Sequence, residues 1–275
     1  MDRVIWGLKN NRSFRLFSFL VILLILVAVF APYIAPYDPI HANMQDAFQA
    51  PSAEHWFGTD KLGRDCFSRI IYGARNSLSG VIILVLLVFA VGTTLGTIAG
   101  YFGGKIDTVI MRLSDIMISF PGIILAITIA GMLGGSMVNS IMALVIVTWP
   151  KYARLSRSLV LKVREKDFIA AAVVNGGTHA RILWRHVLPN ILPLVVITSA
   201  TDIGALMIEL AGLSFLGFGI QPPAPEWGAM INEGRQQLQN SPWLMIFPGL
   251  AIFITVVIFN LWGDSLRDVL DPREE

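Results

Sequence analysis

Long uncharged runs dominate this chain and restrict it to folds whose helices lie in lipid. They extend from Leu16 to Tyr37 (22 residues), Asn76 to Gly104 (29), Ile116 to Pro150 (35) and Gln236 to Gly263 (28). Each meets or exceeds the roughly 20 residues that cross a bilayer as α-helix. Charged residues make up 15% of the sequence, against about 25% in a soluble domain. Gly134-Gly135-Ser136 and Asn139-Ser140 interrupt the longest run near its middle, so it reads as two spans joined by a tight turn. A further span starts near Asn190 and runs toward Leu216, interrupted by Asp202 and Glu209. The expectation is an all-α polytopic membrane protein of about six transmembrane helices.

Six crossings put both termini on one side, and cytoplasmic loops carry the Lys and Arg excess. Of 21 basic residues, 16 fall before the first span, in the connector holding Lys105 and Arg112, in the stretch from Lys151 to Arg185, or after the last span. Both termini are therefore expected on the inner face of a cytoplasmic membrane. The formal charge of +2 conceals this asymmetry and gives no reason to expect a nucleic-acid partner. Arg3, Lys9, Arg12 and Arg15 precede an apolar run longer than the about 7–15 residues of a cleaved signal, so a retained anchor is expected. Cys66 is the single cysteine, which excludes an intramolecular disulfide.

The most unusual segment is the basic one between apolar spans, Lys166-Asp-Phe-Ile-Ala-Ala-Ala-Val-Val-Asn-Gly-Gly-Thr-His-Ala-Arg-Ile-Leu-Trp-Arg-His-Val-Leu-Pro189. Ala170 to Val174 can form a slim helix, and Gly176-Gly177 can supply a left-handed turn closed to residues with a β-carbon. Thr178 suits the N-cap of a second helix on which Ile182, Leu183, His186 and Val187 share a face, with Pro189 stopping that helix at the membrane. The segment resembles the cytoplasmic coupling loop of permease subunits in binding-protein-dependent ABC importers. Ala170, Ala171, Ala172, Gly176, His186, Leu188 and Pro189 fall on that register. The pattern opens with Glu, where this chain has Ala170; Asp167 or Glu165 can substitute on the same helix.

Other blocks extend the resemblance to the second permease subunit of the peptide and nickel ABC importer family. Gly58-Thr-Asp, two residues, Gly63-Arg-Asp, two residues, Ser68-Arg lies in the polar segment 32–75, expected as an ordered outer cap whose Asp60, Arg64 and Asp65 cross-link its turns and hold the first two spans together. Gly103-Gly104, Asp107, Arg112, Asp115 and Phe120-Pro121 match the inner connector. Leu213-Ser-Phe-Leu-Gly-Phe-Gly-Ile-Gln-Pro-Pro223, Pro225-Glu-Trp-Gly-Ala-Met230 and the tail from Phe259 to Pro272 complete the match.

The resemblance implies a type I ABC importer permease fold. It implies an inner N-terminal segment 1–15, a transmembrane domain 16–263 with outer loop 32–75 and coupling loop 163–189, and an inner tail 264–275. It also implies alternating-access import, with a second homologous permease, two ABC ATPase subunits using ATP and Mg, and an extracellular or periplasmic solute-binding protein. In this chain the only Gly-Lys pair, Gly104-Lys105, is followed by Ile106 and has Ala99 where a P-loop needs its leading Gly, so ATP hydrolysis belongs to partner subunits. The coupling-loop residues expected to meet them are Asp167, Ala170, Ala171, Ala172, Gly176, Gly177, His186, Leu188 and Pro189.

Asp202 and Glu209 stand seven apart and share a helix face to within about 20°. Acids within spans cost about 2.5–3.5 kcal/mol at mid-depth, so they either pair with groups on a partner permease or line an aqueous path that favours cations. No catalytic constellation and no bound cofactor is expected, and His41, His55, His179 and His186 lack metal-site spacing; the last two read as surface residues. Thr201-Asp-Ile-Gly-Ala-Leu-Met207 with Ala211-Gly-Leu-Ser214 resembles the nickel and metallophore branch, so nickel or a metal chelate is the expected cargo, with dipeptide or oligopeptide the alternative. An ATP-independent secondary transporter or channel is the competing class; it would usually carry inverted repeats or broken midplane helices, and no clear internal repeat is seen.

Overall fold

The computed structural model describes residues 7–270. Arg3 and residues 271–275 of the expected inner tail lie outside the described residues. Asn11 opens the first helix, α1 (Arg12–Val29), by accepting the Phe14 amide at 3.0 Å. A single turn, α2 (Ala31–Ile34), leads into an irregular outer segment containing a 3-10 turn at Met44–Asp46. Then follow α3 (Cys66–Phe102), α4 (Gly104–Ile118), α5 (Gly122–Leu133), α6 (Met137–Arg164), α7 (Asp167–Val174) and α8 (His179–Ile182). A π-turn (Leu183–Val187) joins α8 to α9 (Leu188–Phe215), and α10 (Trp227–Gly234) and α11 (Trp243–Leu270) complete the chain.

Among the described residues, four helical segments are by length and composition apolar enough to cross a membrane on their own: α1, α3, α8 with α9, and α11. The pair α4 and α5, bent by 92° around Ser119 to Pro121, adds a fifth if taken as one broken span. The segments that do not meet this length and composition on their own come from the run 116–150. The chain does turn at Gly134 to Ser136, but α5 has only 12 residues, about 18 Å of rise where the bilayer core is about 30 Å. Its partner α6 is 28 residues long and continues through Pro150 to Arg164. Its second half thus carries Lys151, Arg154, Arg157, Lys162 and Arg164. Similarly, α3 starts at Cys66, inside the segment read as an outer loop to residue 75.

The core is built on the crossing of α3 and α6, the most extensive helix pair, with α9 packed between it and α11. Close approach is possible because Gly92, Gly96 and Gly100 repeat every fourth residue on α3. A β-carbon at Gly96 would lie 2.2 Å from the Ala153 carbonyl oxygen, and one at Gly92 2.4 Å from the Tyr152 β-carbon. Such small-residue stripes allow membrane helices to meet backbone to backbone, where van der Waals contact replaces the missing hydrophobic drive. Leu84, Val88, Leu144, Tyr152, Val195 and Leu213 fill the space around the crossing and are almost wholly buried.

Candidate functional site

The loop 163–189 is held on one side and bare on the other. Ile169 is the one buried side chain of α7, and it joins Tyr101, Val160, Ile182, Val187 and Ile191 in a separate apolar cluster. Asp167, Ala170 and Ala171 are exposed and Ala172 is half-buried. After the C-cap at Asn175 the chain reverses through Gly176, whose φ is +75° and whose amide donates to the Val173 carbonyl at 3.0 Å. Gly177 needs no positive φ; a β-carbon there would lie 2.8 Å from the Ala172 carbonyl oxygen. Thr178 caps α8, accepting from the Arg181 amide at 3.4 Å.

Pro189 does not stop a helix. It occupies the first turn of α9, where a missing N–H is tolerated, and the chain runs into the membrane through the π-turn. His186 sits half-buried in that π-turn, its ring 6.4 Å from Phe168, and Leu188 is the first residue of α9. His179 is exposed as expected, yet it also ties the loop to the end of α3 through a 3.0 Å hydrogen bond with the Tyr101 hydroxyl. Four apolar side chains stand out of the loop: Phe168 (44% exposed), Val173 (56%), Val174 (86%) and Trp184 (75%). Periodicity did not single these out, because a large residue on a short loop helix looks the same whether it faces a core or a partner.

The inner connector has a structural explanation. Asp107 accepts both Arg157 Nε and Arg157 Nη2, the latter at 2.6 Å, and Asp115 accepts Arg154 Nη2 at 2.6 Å. Arg154 Nε also donates to Ser114 Oγ at 3.1 Å. These pairs pin α4 across the basic half of α6.

Asp202 has its partners within the chain. Lys151 Nζ donates to Asp202 Oδ1 at 2.8 Å and Oδ2 at 2.6 Å, and the Tyr152 hydroxyl donates to Oδ2 at 3.0 Å. Both sequence readings of Asp202 assumed a group outside the chain, because Lys151 was assigned to the basic loop region rather than to the middle of α6. The Lys151 side chain is 57% exposed and that of Asp202 15%. Glu209 is half-buried, and the charged groups acting on it are Lys151 and Asp202.

The outer motif forms a buried charge cluster. Arg64 Nε donates to Asp60 Oδ2 at 2.7 Å, and Arg64 Nη2 and Arg69 Nη2 both donate to Glu233 Oε2, at 3.0 and 2.9 Å. Asp65 caps α3 by accepting the Ser68 amide at 2.7 Å and contacts His55 Nδ1 at 3.0 Å. The cap therefore locks onto α10 as well as holding its own turns, a link across more than 160 residues that spacing within the motif does not reveal. Among the described residues, no three His, Cys, Asp or Glu side chains converge to hold a metal ion.

A bent membrane bundle, an amphipathic loop between two long helices and a cross-braced polar cap together fit a multi-span transport subunit. Residues 92–275 match the family described as the binding-protein-dependent transport system inner membrane component, and residues 1–51 match the N-terminal transmembrane domain of oligopeptide transport permease C. The chain belongs to this family of ABC importer permeases. It is 45% identical over 266 residues to the dipeptide transport system permease protein DppC of Alkalihalophilus pseudofirmus, covering 97% of this chain and 88% of that one. It is 46% identical over 254 residues to the glutathione transport system permease protein GsiD of Pectobacterium atrosepticum, covering 92% and 84%. With the nickel transport system permease protein NikC of Escherichia coli K12 the identity is 41% over 266 residues, covering 97% and 96%.

The fold resembles a chain of the MetNI methionine ABC transporter, solved in inward-facing conformations, with a TM-score of 0.60 at 20% identity over 74% of this chain and 97% of that one. The fold is thus the type I importer permease fold. The chain is a multi-pass inner-membrane permease subunit, a transport component rather than an enzyme, from a family that works with ATPase and binding-protein partners.

Proposed function

We propose that this chain is one of two similar permease subunits enclosing the path of an ATP-driven importer of short peptides. Two ATPase subunits, using ATP and Mg, dock against the inner loop 163–189, a solute-binding protein delivers cargo outside, and both termini lie inside. Val174, Trp184, Phe168 and Val173 supply the apolar contact, Asp167 replaces the acid missing at Ala170, and the turn at Gly176-Gly177 with Leu188 and Pro189 transmits the motion to α9.

The observation that carries the peptide reading is the Lys151–Asp202 pair. A path favouring cations needs free carboxylates, and Asp202 is neutralised within its own chain, which leaves a strip bearing both signs. Nickel or a metal chelate is the second reading. Glu209 favours it as a carboxylate without an ion-pair partner among the described residues, as does the 41% identity to a nickel permease.

The deciding measurement is ATPase stimulation of the reconstituted complex by its binding protein loaded with a dipeptide, glutathione or nickel. Stimulation by the peptide cargoes is expected; stimulation by nickel alone would replace this reading with the metal one.

A further inference from the structure

Lys151 is residue 15 of the 28 in α6, and Asp202 is residue 15 of the 28 in α9. Their ion pair thus sits at the midpoint of two long helices of the bundle, and charge inside a membrane bundle is costly unless it faces a water-lined space or another polar group. The Lys151 side chain is 57% exposed, and an exposed ion pair contributes only about 0–1 kcal/mol of stability, so pairing alone gives little reason for two charges here. Lysine carries three N–H donors. Two are aimed at Asp202 Oδ1 and Oδ2, and the third remains on the exposed side. The Tyr152 hydroxyl holds Asp202 from behind at 3.0 Å.

Glu209 lies seven residues further along the same face of α9, about 10 Å along the axis. An extended chain of two or three residues spans at most about 7–11 Å. From this juxtaposition we propose that Lys151 and Glu209 are the two ends of a cargo-reading strip in the permease, the ammonium receiving the C-terminal carboxylate and Glu209 the N-terminal ammonium of a zwitterionic di- or tripeptide. Asp202 and Tyr152 are positioning residues that hold Lys151 in place. The inference rests on the peptide reading above and deepens it, because it makes the permease itself selective for both peptide termini.

The test is uptake of the dipeptide alanylalanine by the complete complex in proteoliposomes, normalised to the ATPase recovered with each variant. Lys151→Gln in combination with Asp202→Asn removes the pair without stranding a buried charge. A pair that has no part in cargo recognition predicts normal uptake for that double variant whenever it assembles. The cargo-reading role predicts a loss of about tenfold, the scale of one lost hydrogen bond to a charged group. Glu209→Gln should lose a similar factor, and Lys151→Arg should retain most uptake. Uptake within twofold of the parent in the double variant or in Glu209→Gln overturns the proposal, and so does failure of the double variant to assemble, which would make the pair structural. If the parent complex imports nickel and no dipeptide, the peptide reading falls instead, and the two failures are distinguished.

Discussion

Glu233 shows what a buried charge cluster requires. Its Oε2 receives both Arg64 and Arg69, whose side chains are 2% exposed. Glu233→Gln leaves two guanidinium groups sharing Asp60, and breaking a buried pair costs about 3–5 kcal/mol because the remaining charge is uncompensated. The variant is expected to unfold at markedly lower temperature, whereas the exposed Arg75→Gln should stay within about 0.5 kcal/mol of the parent; thermal melts of the purified complex check both. The inner turn offers a second residue-scale prediction. Gly176→Pro removes the amide that donates to Val173 and fixes φ near −65° where +75° is needed. Gly177→Val drives a branched side chain against the Ala172 carbonyl. Both should reach the membrane, and uptake should fall about tenfold or more relative to ATP hydrolysed; normal uptake in both would remove this turn from the mechanism.

At the scale of elements, the crossing of α3 and α6 depends on three glycines at every fourth residue, Gly92, Gly96 and Gly100. A β-carbon at Gly96 would overlap the Ala153 backbone, which has no rotamer to move aside. Gly96→Ala is therefore expected to separate the helices and sharply reduce folded protein, while Gly212→Ala, with open space around the added carbon, should be recovered in parent amounts. Size-exclusion profiles in mild detergent would show the difference. The same element explains what was readable in advance. Apolar length located α1, α3 and α11, since a run of 20 or more uncharged residues has few other uses, α9 was legible despite Asp202 and Glu209, and Thr178 and the double glycine announced their turns by residue type. The α4–α5 bend and the long α6 were not legible, because Pro150 lies inside a helix and the basic residues after it look like a loop. The Lys151–Asp202 and Arg64–Glu233 pairs join residues 51 and 169 positions apart, and spacing along one segment carries no information about such contacts.

For the whole molecule, the decisive feature is surface left uncovered. The loop exposes Val174 at 86% and Trp184 at 75%, on the surface proposed above to meet the ATPase subunits. Adjacent Lys162, Arg164, Lys166, Arg181 and Arg185 would steer an acidic partner surface toward it. Arginine and tryptophan at the centre of an interface commonly carry most of its binding energy. Val174→Ser combined with Trp184→Ala should therefore release the ATPase subunits while the membrane bundle stays folded, because neither side chain enters the Tyr101–Ile169–Ile182 cluster beneath. Purification of the complex in mild detergent measures this directly. The parent chain is expected to recover a second permease and two ATPases, and the double variant the second permease alone. Retention of the ATPases by the variant would place their docking elsewhere than on α7 and the π-turn, and transport by the lone chain without ATP would remove them from the mechanism.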